Sequence, residues 1–420
     1  MTKIFVILFI SSFALANSWN ALGSDSPTPY NKEVISSSDS QTIVRFSLEG
    51  YSLTPLQTSN GDAFKVGTML GASLLEAGAP DVQKLSVSLK IPNDKHMSAR
   101  VESSEFIEIE NIIIAPSKGN LSRLINPDDV EYSWGAVYNS DTFYPGKLTD
   151  LNTPYILRDF RGQAASVYPF QYNPVTETLR IYTEIIISVV TDGPGEINLI
   201  LNENLDTIDH DFVKIYNNHF DNFNTTDTRF EFVEEQGNML VVSYGDFMDE
   251  MEPFVEWKNR KGIPTEMVNV ANIGGNSSSI ESYVDTYYHD NGLTFLLLVG
   301  DVNQVPTPSV GGSGSDPSYG FVDGNDSYAE LFVGRFSANS PSELITQVER
   351  TLDYEQNAQA DADWYHTALS VGSNQGPGWG GLTDDVFLNT IIDPMLLDYT
   401  YTNHTGIYDP NQSIQGGIDA

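Results

Sequence analysis

Asp301, Asp326 and Glu330 are the residues from which chemistry is most directly argued in this chain. The run FLLLV at 295–299 is apolar without alternation and ends in Gly300-Asp301, a pattern that suits a strand covered on both faces. A carboxylate just past such a strand stands where open α/β sheets keep their ligands, outside the carboxyl ends of the strands. Asp326, Tyr328 and Glu330 follow at i, i+2 and i+4, so an extended backbone would turn all three to one face. Two carboxylates and a main-chain carbonyl, joined by Asp301, are the oxygen donors that a calcium ion takes. The same residues also read as a solvated edge of an acidic protein.

The elements that must position these groups begin at 239. MLVVS (239–243) has the pattern of a buried strand; Phe247, Met251, Phe254 and Val255 recur at helical spacing up to Gly262; 265–270 is a second strand. Residues 277–290 form a helix with Ile280, Tyr283 and Val284 on one face, leading into the strand that ends before Asp301. Strand and helix in alternation predict a doubly wound α/β sheet. A further helix opens at Ser340 as N-cap, with Pro341 in its first turn and Glu343 closing a capping box, and lines Leu344, Val348 and Leu352 on its buried face. A short strand at 367–371 and a helix at about 385–397 follow.

The first half is built differently. Residues 42–53, 85–91, 106–114 and 179–190 alternate or are β-branched, 196–201 is a further candidate, and Pro and Gly punctuate them. They predict an antiparallel β domain over about 30–203. From 202 to 238 the chain is polar with poor periodicity, and 224–228 (NTTDT) reads as an exposed linker.

Two sets of segments resemble one family. GDVNQVP (300–306), YGFVDGNDSYAELFVGRF (319–336), the helix opening SPSE (340–343) and RTLDYE (350–355) resemble the amino-terminal half of the catalytic domain of gingipain-like cysteine peptidases. GAPDVQKLSVSLKIP (78–92) and YPFQYNPVTETLRIYTEIIISV (168–189) resemble the pro-domain of the same peptidases, in the order that family has them. The resemblance implies a partial caspase-like doubly wound α/β sheet preceded by an antiparallel all-β pro-domain. It implies a signal peptide at 1–16, a pro-domain at 17–203, a linker at 204–238 and a peptidase part at 239–420. It also implies structural calcium near Asp301, Asp326, Tyr328 and Glu330, and processing at Arg229-Phe230. Asp384 would lie at the floor of the primary specificity pocket, although an aspartate at a helix start is equally explained by capping. Partners would be protein or peptide substrates and the chain's own pro-domain. The family's catalytic His-Gly motif and cysteine would follow the segment ending at Ala420, so the sequence reads as a fragment.

Composition bounds these readings. Lys plus Arg is 21 and Asp plus Glu is 57 in 420 residues, a formal charge of −36 that repels nucleic acid and anionic membranes and attracts cations. Lys3, the apolar run after it and Ala14-Leu15-Ala16 form a secretory signal, and no later run approaches the ~20 apolar residues of a helical span. There is no cysteine, so no residue of these 420 supplies a thiolate. Gly376, Gly378 and Gly381 satisfy G-x-G-x-x-G, but Pro377 and Trp379 stand where a pyrophosphate would need bare backbone. His404 reads as an exposed loop residue. The competing reading of the whole is a secreted calcium-binding or partner-binding protein without catalysis.

Overall fold

In the antiparallel half, alternation translates directly into burial. The computed structural model describes residues 18–122, 124–201, 207–224, 231–232, 237–357, 359–375, 382–399 and 401–409. Among the strands of the first half are β1 (Asn31–Ser37), β2 (Gln41–Ser47), β3 (Gln83–Lys90), β4 (Lys95–Ile109), β5 (Tyr155–Leu157), β6 (Phe160–Val167), β7 (Phe170–Asn173) and β8 (Thr178–Pro194). One antiparallel sheet is centred on β8, with β4 along one side and β7 and then β2 along the other, β1 lying beyond β2. A second runs β5-β6-β3. Val44 and Phe46 from the first sheet share one core with Leu85, Val87 and Leu89 from the second, each from the apolar phase of its strand.

Two expectations for this half are corrected. Residues 196–201 are not a strand, because Asn198 takes a left-handed backbone (φ 48°) and its amide is engaged elsewhere. The region read as linker contains a helix, α1 (His210–His219). Asp209 caps it by accepting from the Asp211 amide, and Phe212 and Tyr216, one turn apart, are both buried. The polar residues between them hide that short apolar stripe.

The second half is α/β. In chain order it holds β9 (Met239–Ser243), α2 (Met248–Lys261), β10 (Thr265–Asn269), α3 (Ser277–Asn291), β11 (Phe295–Val299), β12 (Phe332–Phe336) and α4 (Pro341–Gln356). The four strands are parallel in the order β10-β9-β11-β12. Leu240 and Val242 face α3 through Ile280 and Val284; Met239 and Val241 face α2 and α4 through Met251, Phe254, Leu344 and Val348. Helices on both faces explain why the central strand β11 is apolar at every position and β9 at all but its last. Gly262 ends α2 in a left-handed conformation (φ 94°), where a side chain would be strained.

Downstream, β13 (Thr367–Gly372) and β14 (Asn403–Tyr408) pair in parallel as a separate two-stranded sheet. Between them run α5 (Asp384–Phe387), a π-helical turn Leu388–Ile392 and α6 (Asp393–Leu397). The strand expected at 367–371 is thus present, and among the described residues it pairs with β14 rather than with the four-stranded sheet.

Candidate functional site

The carboxyl edge of the four-stranded sheet carries Asp301. Gly300, at φ 126°, lets the chain leave β11 sharply, and a Cβ there would meet Gln304 at 2.8 Å. Arg335 fixes the turn from beneath: its Nη1 donates to the carbonyls of Gly300 (2.7 Å) and Val305 (2.9 Å), while its Nε and Nη2 form a bidentate pair with Asp316. Asp301 is left partly exposed, accepting from the Val302 amide (2.8 Å), the Asn339 amide group (3.3 Å) and the Ser337 hydroxyl (3.3 Å). These donors, the Val302 amide first, hold its carboxyl below the usual aspartate range.

Asp326, Tyr328 and Glu330 stand at the other end of the sheet. Residues 321–331 are not extended, as the spacing had predicted; Asp326 Oδ1 accepts the Tyr328 amide (2.9 Å) in a tight turn, and β12 begins only at Phe332. Phe295 pairs with Phe332 and Val299 with Phe336, so Glu330 precedes the amino ends of these strands while Asp301 follows their carboxyl ends. At ~3.3 Å per residue the separation is roughly 20 Å. The single four-residue ion shell is therefore corrected: Asp301 does not join the other three, because parallel strands put Gly300-Asp301 and Glu330 at opposite edges.

Glu330 is wholly buried. Its carboxylate accepts the amides of Val322 (2.9 Å) and Asp323 (3.2 Å), and burial, only partly offset by these bonds, pushes its pKa up to about 7. The Glu330 carboxylate is thus met by main-chain N–H groups, and both oxygens of Asp326 also accept hydrogen bonds. Among the described residues no group of three or more His, Asp or Glu side chains is arranged to hold a metal, so an ion there would draw on carbonyl oxygens such as that of Tyr328.

The same turn receives the β domain. The Ile156 amide (2.9 Å) and the Asn198 side-chain amide (3.1 Å) both donate to Asp326 Oδ2, and the Tyr155 ring stacks on Tyr328 with centroids 4.0 Å apart and planes 15° from parallel. Arg158, at the tip of the β5–β6 hairpin with φ 48°, sends Nη1 to the carbonyls of Leu293 (2.8 Å) and Glu330 (2.6 Å). Reading the sequence for motifs missed Arg158, Asn198 and Asp209; Asp209 alone had a signal, as a cap ahead of Phe212 and Tyr216.

Asp384 opens α5 just past the carboxyl end of β13, where the Ser373 hydroxyl lies 3.4 Å from its Oδ2 and its own amide donates to Gln375 (3.2 Å). Behind it, Asp393 is buried and accepts the hydroxyls of Ser370 (2.7 Å) and Tyr408 (2.6 Å); His404 Nε2 lies 2.9 Å from its Oδ1. His404 is thus a half-buried residue of β14 rather than part of an exposed loop. Arg229, Phe230, the glycine-rich loop at 376–381 and the leader at 1–16 lie outside the described residues.

An antiparallel β domain docked on the edge of a doubly wound parallel sheet defines a two-part chain, a covering domain and an α/β domain of the kind that holds its chemistry beyond the strand ends. Residues 27–229 match the propeptide model of family C25 and residues 233–416 match Peptidase family C25, so this chain belongs to peptidase family C25 and carries a propeptide with peptidase sequence after it. It is 38% identical to Gingipain R2 of Porphyromonas gingivalis over 397 residues, 92% of this chain and 53% of that protein, and so spans about half the length of that relative. It is 26% identical to Lys-gingipain HG66 of the same organism over 354 residues, 78% of this chain and 20% of that protein. A solved complex of Porphyromonas gingivalis RgpB pro- and mature domains aligns with 46% of this chain and 98% of its own at 40% identity and a TM-score of 0.43. No helix among the described residues is long and apolar enough to cross a membrane.

Proposed function

We propose that this chain is the propeptide and the first part of the peptidase domain of a secreted cysteine endopeptidase zymogen that cleaves after basic residues. The observation that carries the reading is the order of the two family matches, propeptide to 229 and peptidase from 233, which brackets the expected cut at Arg229-Phe230. A relative named Lys-gingipain supports a basic preference, and Asp384 is the carboxylate for it: an arginine would meet it as a bidentate pair, a lysine as a point charge. None of these 420 residues supplies the thiolate of such an enzyme, since they hold no cysteine. The propeptide covers the peptidase domain of the zymogen.

Calcium belongs to this reading at the turn of Asp326, the Tyr328 carbonyl and Glu330. There it would supply the positive charge that a buried and a half-buried carboxylate otherwise lack. Asp301 would serve a separate site or none.

The test is production of the full-length polypeptide followed by amino-terminal sequencing of the secreted form and assay on peptides with Arg, Lys or Leu before the scissile bond. The expected result is a mature start at Phe230 and cleavage after Arg or Lys that a thiol-alkylating reagent abolishes. Hydrolysis that survives alkylation, or a mature start inside the β domain, overturns the reading.

A further inference from the structure

The amino edge of the four-stranded sheet is gripped by side chains that all lie before residue 229. Arg158 passes between the rings of Phe212 and Tyr288, its guanidinium carbon 4.6 Å and 5.5 Å from their centroids, and ends on the carbonyls of Leu293 and Glu330. Its Nη2 lies 3.5 Å from Asp209, which also accepts the Thr294 hydroxyl. Phe212 from α1 packs on Phe332 with centroids 4.9 Å apart. Arg158, Asp209 and Phe212 are on the propeptide side of the linker; Tyr288, Leu293, Thr294 and Phe332 are on the peptidase side. The Arg158 side chain is 10% exposed, so removing its guanidinium would take the donor from both carbonyls in a largely buried contact.

We propose that this edge is the anchor by which the severed propeptide stays on the peptidase domain, with Arg158 the residue that sets its affinity. This rests on the reading of 27–229 as a propeptide cut from the peptidase. Asp301, Ser337 and Asn339 occupy the opposite edge, so the anchor is spatially separate from the strand ends where substrate chemistry is expected. It fixes where the β domain sits without itself entering that crevice. The contact has the anatomy of a binding hot spot, one arginine desolvated at the centre with aromatic rings around it.

The geometry also selects the informative substitution. Arg158 has a left-handed backbone, which asparagine tolerates better than other side chains, so Arg158→Asn removes the guanidinium and keeps the hairpin turn. The full-length precursor, given a specific protease site within 225–236 and cut there, is followed by gel filtration and by the rate at which labelled propeptide exchanges with unlabelled. The wild-type halves co-elute after cutting, and Arg158→Asn speeds dissociation by roughly 30-fold or more, the lower bound for a hot-spot residue. Should Arg158→Asn reduce the yield of folded protein, Thr294→Val tests the same edge from the peptidase side, with a several-fold faster exchange expected. Halves that separate at once in the wild type, or exchange rates unchanged by both substitutions, overturn the proposal. Failure of the peptidase reading is distinguishable, because it abolishes thiol-dependent turnover and leaves co-elution intact.

Discussion

Asp301 and Glu330 stand at opposite ends of one parallel strand pair, Glu330 two residues before Phe332 and Asp301 two residues after Val299, with Phe295 opposite Phe332 and Val299 opposite Phe336. Their carboxylates cannot share an ion, and the two substitutions should separate cleanly. Calcium is expected to raise the thermal midpoint of the chain, and a chelator to lower it, in both the wild type and Asp301→Asn. Glu330→Gln should lose that difference, since it removes the buried carboxylate that the ion would neutralise. A chelator effect that vanishes with Asp301→Asn and persists in Glu330→Gln would place the ion at the wrong edge.

Asp384 should govern which residue precedes the cut. In the full-length enzyme Asp384→Asn keeps the side-chain shape at the first helical position after the Thr383 N-cap, yet loses the charge that would meet a guanidinium. The expected outcome is a fall of kcat/KM for arginine peptides by a factor of about 10 or more, with the leucine peptide unaffected. Equal loss on both peptides would make Asp384 a structural residue of the helix start.

Acid should loosen the contact of α2 with α4. Burial would raise the Glu355 carboxyl, but hydrogen bonds from Lys258, Trp257 and Lys261 outweigh it and hold the group at about 2. A carboxylate depressed in the folded state stabilises above its unfolded value, about 4.3, and that contribution is lost as pH falls from there through about 2. Urea unfolding as a function of pH should show roughly 1 to 2 kcal/mol of such loss, allowing for solvent screening, and Glu355→Gln should flatten this part of the profile.

Asp393 ties α6 to both strands of the small sheet through Ser370 and Tyr408. Asp393→Ala leaves two hydroxyls without their acceptor in a dry interface and is expected to cost roughly 2 to 3 kcal/mol by chemical denaturation. Asp393→Asn, which keeps one oxygen, should cost about half as much. A negligible effect of Asp393→Ala would mean that water replaces the carboxylate.

Much of the architecture was legible along the chain because its signals are local. The apolar phase of Leu85, Val87 and Leu89 specified a half-buried strand, and the unbroken FLLLV specified one covered on both faces. Ser340 accepting from the Glu343 amide, and Gly262 at the end of α2, were readable as helix boundaries because caps depend on the residue itself. The α1 helix escaped because its stripe consists of two aromatic residues in a polar segment, and it is held by Phe332 and Arg158 from elsewhere.

The sequence by itself determined the two-part order of β domain and α/β domain, the acidic character, the want of a thiolate among these residues and the position of Asp301 past a buried strand. Only the tertiary structure decided that Asp301 and Glu330 are far apart, that the Asp326 turn receives Ile156, Asn198 and the neighbourhood of Arg158, and that His404 packs beside Asp393. The physical reason is that periodicity reports which face of an element is buried, whereas the partner of a polar group is set by strand register and domain docking. Those bring together residues 170 positions apart, as in the bond from Ile156 to Asp326, and no local pattern encodes them.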